Sequence, residues 1–172
     1  MAWSGRLLRL DTPPAMSLAF VHRNTDPHNQ KEPFVSEENK AAVRRMYEAL
    51  NAGDVTAMGN TLADDMVEHE ELPGLTPDKA GVIQFFRGIM AGLEGFRMNV
   101  EEIMAEGDRV SVRATVSGKH TGELMGIPAT GKELNVPLAD YFRVQGGKVA
   151  EHWGVMDSGT MLMQMGIVKM PG

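Results

Sequence analysis

Two side chains in the C-terminal third have the types and spacing for proton chemistry. Asp140 stands among apolar residues in PLADYFRV, and His152 follows in KVAEHWGV. A carboxylate beside an imidazole is a ready general acid/base pair. A carboxylate on an apolar face must be paired, protonated or open to a cavity, because burying a bare charge is too unfavourable. The same two residues read equally well as a structural ion pair in the core, since ion-pair networks also perturb titration.

The elements that must position them are strands. From Phe96 onward apolar residues recur at every second place, which predicts long strands over 96–105, 109–121, 132–144 and 148–157. In the second, Val110, Val112, Ala114 and Val116 share one face, and Ser111, Arg113, Thr115 and Ser117 share the other. The turn Val144-Gln-Gly-Gly-Lys148 fits a three-residue loop with Gly147 at the positive-φ place. That register sets Phe142 opposite Ala150, Asp140 opposite His152 and Leu138 opposite Gly154, on one face with Met156. A two-residue loop would slip the register by one and part Asp140 from His152.

Upstream the period is helical. Ser36, followed by Glu37 and Glu38, starts a helix with acids at the positive end of its dipole. Val43, Met46, Tyr47 and Leu50 form its apolar stripe. A short helix over 55–62 and a strand over 66–70 follow. Thr76 and Pro77 open another helix, carrying Val82, Ile83, Phe85, Phe86 and Ile89. A short apolar helix over 158–167 closes the chain. Helices followed by an antiparallel meander predict an α+β domain with helices on one face of the sheet.

Composition narrows the function. The net charge of -6, with no run of lysine and arginine, argues against nucleic acid as a partner. The absence of cysteine rules out disulfides and thiolate metal sites and is compatible with a cytoplasmic location. No dinucleotide-binding GxGxxG, phosphate loop or HExxH is present, so no cofactor is expected. No apolar run reaches the ~20 residues of a membrane helix. Residues 1–34 read as an extended or disordered arm and a poor signal peptide, with Met16 or a later residue as an alternative functional start. Residues 35–170 read as one domain.

Two further places are rich in candidate ligands. In Val67-Glu-His-Glu-Glu71, Glu68 and Glu70 point one way on a strand, and His69 and Glu71 the other. Only one histidine and one glutamate converge locally, short of the three protein ligands of a catalytic zinc, so no metal is expected. His69 reads either as a substrate contact at a pocket mouth or as a solvated edge residue. His120, at a strand end beside Gly122, either orients a substrate oxygen or holds the following loop.

The block His120-Thr-Gly-Glu-Leu-Met-Gly-Ile-Pro-Ala-Thr-Gly131, a strand, and then Phe142-Arg-Val-Gln-Gly-Gly-Lys-Val-Ala-Glu-His-Trp153 resembles the SnoaL-like polyketide cyclases of the nuclear transport factor 2-like superfamily. The likeness spans about residues 36–167. It implies a cone in which a strongly curved antiparallel sheet wraps helices around a deep apolar pocket. It also implies a homodimer through the outer sheet face, which suits Tyr141, Trp153 and Val155. In such cyclases an acid/base aspartate follows the His-Trp pair, and a pocket histidine lies on the preceding strand. Here those places hold Gly154 and Asp140. The acid/base work is therefore expected at Asp140 with His152 as partner, on a hydrophobic carbonyl substrate and without a cofactor. The chemistry would be proton abstraction leading to aldol-type cyclisation, isomerisation or dehydration. The alternative is a binding module that has lost the aspartate. Gly154 opens space beside the pair under either reading. Phe86, Phe142, Met125 and Met156 are expected as pocket wall, and the 14 methionines suit a bulky apolar ligand. Epoxide hydrolysis on the same fold would need two carboxylates around a water with an arginine between, for which Arg113 is the nearest candidate.

Overall fold

The computed structural model describes residues 31–72 and 74–169. Three helices and a strand precede a four-stranded meander and a fourth helix follows it: α1 (Lys31–Asn51), α2 (Val55–Asn60), β1 (Leu62–Glu68), α3 (Lys79–Gly92), β2 (Leu93–Glu106), β3 (Arg109–His120), β4 (Glu133–Gln145), β5 (Lys148–Met156) and α4 (Ser158–Met165). The sheet order is β1-β5-β4-β3-β2. The meander is antiparallel throughout, as expected, while β1 joins its edge parallel to β5. The architecture is the expected α+β arrangement, with a curved sheet packed against helices and not closed into a barrel.

Strand β1 starts at Leu62 rather than 66 and β2 at Leu93 rather than 96, and the starts of two helices also differ from the sequence reading. Helix α1 begins at Lys31, ahead of Ser36, so the last residues of the expected arm are helical; residues 1–30 lie outside the described residues. Helix α3 is capped by Asp78, which accepts from the Gly81 N–H at 3.0 Å, and the Thr76 hydroxyl donates to that carboxylate at 2.7 Å. Asp is as good a cap as Thr, and Thr76 supports it from outside.

The core forms where the apolar stripes meet. Val43, Met46, Tyr47 and Leu50 on α1 are buried against Val110, Val112, Ala114 and Val116, the predicted inner face of β3. Two asparagines fix α1 over the sheet. Asn39 donates to the Gly107 carbonyl at 2.8 Å in the β2–β3 turn. Asn51 pairs with both backbone groups of Met98 on β2, at 2.9 and 2.7 Å. Tyr47 lies between these two anchors.

The β4–β5 hairpin corrects the expected register. Gln145 pairs with Lys148 around a two-residue loop, Gly146-Gly147, with φ of 59° and 74°. Both loop residues thus take the positive φ that a type I′ turn requires, and having two glycines makes this turn available. Alone it would have parted Asp140 from His152. A β-bulge undoes the slip: Val144 pairs with Val149 but Arg143 with Glu151, leaving Ala150 extra on β5. Val149 and Ala150 are consequently both buried in succession. Beyond the bulge Phe142 lies opposite His152 and Asp140 opposite Gly154. Asp140 and His152 are diagonal neighbours on one face rather than directly opposed, a spacing long side chains bridge.

Candidate active site

Four side chains from four elements form one hydrogen-bonded chain. His152 Nδ1 faces Glu68 Oε2 at 2.7 Å, and Nε2 faces Asp140 Oδ1 at 3.2 Å. The Tyr47 hydroxyl donates to Asp140 Oδ2. Each link follows from a backbone feature. The parallel pairing of β1 with β5 puts Glu68 beside His152, the bulge turns His152 inward, and the anchored α1 lowers Tyr47 onto β4. Phe142 holds the imidazole from below, with ring centroids 4.9 Å apart, and meets Tyr47 edge-on at 6.3 Å.

The electrostatics define the protonation states. Burial by itself lowers the affinity of His152 for a proton. The hydrogen bonds and negative charges of Asp140 and Glu68 outweigh it and raise the imidazole to about 10. At neutral pH His152 is therefore a cation that donates from both nitrogens. Burial, then the charge and hydrogen bond of Asp140, push the Tyr47 phenol well above its ordinary value, so it stays a donor. Glu70 is pushed up by burial and by the charges of Glu68 and Asp140, with the His152 charge opposing.

This chain opens on an apolar cavity of about 100 Å³, several times what one water needs. Asp140, His152, Phe142, Met156, Phe86 and Met125 all line it, together with Tyr47, Glu68 and Glu70. Met125 reaches it from a turn in which its own φ is 50°. Gly154, opposite Asp140, lets the Glu70 carboxylate approach: a Cβ there would lie 2.4 Å from Glu70 Oε2 and 3.0 Å from His152 Cε1.

Three expected substrate contacts do not line the cavity: Gly154, whose open side the Glu70 carboxylate fills, His69 and His120. His69 turns to the outer face, where it meets Glu151 at 2.9 Å and stacks on Trp153 with ring centroids 4.2 Å apart. It takes that face because residues alternate along β1, and Glu68 is the inward one. His120 is fully buried and faces the Thr130 hydroxyl at 2.9 Å. Its backbone N–H and C=O bond Lys132 and Gly131, so it closes the loop over 121–130 rather than lining the cavity. Arg113 also faces outward, against Glu101 and Glu102. No arginine lines the cavity among the described residues, which removes the basis for the epoxide reading.

Tyr47, Glu68 and Glu70 were not foreseen as a group. The alternation of residues 67–71 put the two glutamates on one face, but their partner comes from β5. Glu68, Glu70 and His152 are also the set that could hold a metal ion, with donor atoms within 4.8 Å of one another. The third donor comes from another strand, which a count along residues 67–71 does not capture. Both imidazole nitrogens are already engaged by carboxylates, Nδ1 with Glu68 at 2.7 Å and Nε2 with Asp140 at 3.2 Å. The donor set as arranged suits proton transfer.

Fold and site together define a small α+β protein with a buried acid/base chain at the end of an apolar cavity. Residues 40–165 match the SnoaL-like polyketide cyclase family, and the chain belongs to that family of cyclase enzymes. It is 33% identical over 121 residues to the aklanonic acid methyl ester cyclase DauD of Streptomyces sp. (strain C5), covering 64% of this chain and 70% of that one. Among solved structures it is similar to AclR from Streptomyces galilaeus, with a TM-score of 0.69, 30% identity and coverage of 78% and 99% of the two chains. It is also similar to TsrD from Streptomyces laurentii, with a TM-score of 0.71, 26% identity and coverage of 77% and 97%.

Proposed function

We propose that this protein is a cytoplasmic, cofactor-independent cyclase that closes a ring on a hydrophobic polyketide ester by aldol-type carbon–carbon bond formation. The observation that carries the reading is the Tyr47–Asp140–His152–Glu68 chain opening on an apolar cavity. Asp140 takes the proton from the carbon α to a carbonyl, and the resulting enolate carbon attacks a second carbonyl. His152, a cation beside Asp140, compensates the negative charge that passes between substrate and carboxylate. The cavity wall excludes water and holds the reacting carbons together. A polyketide methyl ester, the kind of substrate in the relative's name, would match the apolar wall of the cavity with its rings and the cavity's acid/base groups with its carbonyls. The same acid/base groups would serve an isomerisation or a dehydration.

The binding-module alternative rests on Gly154, where the resemblance leads one to expect a carboxylate. The cavity holds three other carboxylates, so that glycine does not empty it of acid/base groups. We also propose a homodimer through the outer sheet face. Tyr141 and Val155 are exposed there, Val155 at 73%.

The test is ring closure of aklanonic acid methyl ester by wild type and by Asp140→Asn. Loss of one positioned acid/base group lowers turnover by roughly 10²–10⁴-fold, with ligand binding retained. Undiminished closure by the variant would remove Asp140 from the mechanism.

A further inference from the structure

Among the described residues, Glu70 is the cavity carboxylate whose side chain has no hydrogen-bond partner. Glu68 accepts from His152 and from the Glu70 backbone N–H, at 2.7 and 2.8 Å. Asp140 accepts from Tyr47 and His152. Glu70 shares the cavity with both. Its place depends on Gly154, because any Cβ at 154 would lie 2.4 Å from Glu70 Oε2 and push that carboxyl away. Burial strengthens its hold on a proton, the His152 charge opposes this, and the charges of Glu68 and Asp140 add to it. A neutral carboxyl carries one O–H. A ligand that fills the cavity covers this half-buried carboxyl, and a carbonyl oxygen on that ligand gives the O–H its acceptor.

We propose that Glu70 is the acid of the reaction and donates its proton to the carbonyl oxygen of the bound substrate. This rests on the reading of Asp140 as the base. Two carboxyls in one cavity with contrasting surroundings divide naturally into a base and an acid. Asp140 takes the α-proton, and the C–H electron pair becomes the enolate double bond. The enolate carbon bonds to the second carbonyl carbon, and that carbonyl's π pair moves to its oxygen. The Glu70 O–H bond breaks, its proton forms the product hydroxyl, and Glu70 is left as carboxylate. The proton that Asp140 took from carbon then passes to Glu70, restoring both carboxyls, so one proton has moved from carbon to oxygen and nothing is oxidised or reduced.

The groups that face Glu70 set its behaviour with pH. They are Glu68 on β1, Asp140 on β4, His152 on β5 and Tyr47 on α1, while α3 presents Val82, Phe85, Phe86 and Ile89 to the cavity. Raising the pH ionises Glu70 and removes the donor.

The test compares binding of α-tetralone with binding of tetralin, a hydrocarbon of nearly the same shape, at acid and at alkaline pH. Tetralin affinity reports an intact cavity in every variant. Wild type at acid pH is expected to prefer the ketone roughly tenfold, the worth of one buried hydrogen bond. The preference disappears in Glu70→Ala. It persists in Glu70→Gln, whose amide N–H still donates, and there alone it survives alkaline pH. Asp140→Asn keeps the preference, so failure of the base assignment shows in carbon–proton exchange and failure of the acid assignment shows in the ketone preference. No ketone preference in wild type, or an unchanged one in Glu70→Ala with tetralin still bound, would overturn the proposal.

Discussion

His152 is the residue on which the site turns, because it is a largely buried cation between two carboxylates. Its proton affinity is raised on folding, to about 10. A raised base contributes stability that is fully present below its unfolded value, ~6.5 for histidine, and that is lost as pH climbs through the folded value. Denaturant melts should therefore show the protein losing stability from neutral pH towards pH 10. Replacing His152 by Gln leaves Asp140 and Glu68 facing each other without the cation. The expected destabilisation is about 3–5 kcal/mol at neutral pH, the usual cost of removing one partner of a buried pair. A loss below about 1 kcal/mol, the ceiling for most exposed pairs, would mean that the chain is solvated. At this scale the sequence shows half of the site. Asp140 and His152 lie on adjacent strands of one hairpin, so period-two alternation brings them to one face. Tyr47 reads as one more apolar position of a helical stripe. Glu68 and Glu70 read as part of an acidic edge, because the groups they meet are on β5 and β4.

The bulge at Ala150 is the element that makes the site. The diglycine turn by itself would aim His152 outward, and the extra residue on β5 restores its direction. Deleting Ala150 should invert every side chain from Glu151 to Met156, moving Trp153 to the cavity face and His152 to the outside. The expected result is loss of ring closure together with a lower melting temperature. A deletion variant with normal turnover would show that strand register does not aim His152. Strand lengths, the inner face of β3 and the apolar stripe of α1 were legible because each is a local periodic pattern. The parallel addition of β1 to β5 was not, since it joins segments distant in sequence and has no turn to announce it. The bulge was equally silent, because one extra small apolar residue, Ala150, breaks no alternation strongly enough to be noticed.

Across the whole molecule the sheet has two faces with different tasks. The inner face carries the cavity and its proton chain. The outer face carries His69 stacked on Trp153, Tyr141 set edge-on to Trp153 at 5.7 Å, and Arg109 over both aromatic rings of Tyr141 and Trp153 at 6.0 and 5.5 Å. This cluster, with Val155 beyond it, is the proposed surface for a second copy. Light scattering should give twice the chain mass for wild type and a single chain mass for Val155→Glu, whose charge would have to be buried unpaired. A monomeric wild type, or a dimer unaffected by that change, would contradict the outer-face arrangement. Among the described residues no helix is long and apolar enough to cross a membrane. The cavity itself was foreseen only through the resemblance. Its methionines divide accordingly: Met46, Met66, Met98, Met156 and Met161 line it from within, Met125 lines it while half-exposed, and Met104 and Met163 are exposed.

The central claim is that Asp140 takes a proton from carbon, and the most direct measurement is deuterium exchange at the α-position of hydrophobic cyclic ketones, followed by NMR. Wild type and Asp140→Asn are compared on compounds shown separately to bind both. Exchange above the solvent background with wild type alone is the predicted result. Equal exchange by the two proteins, or none by either on bound compounds, would contradict it.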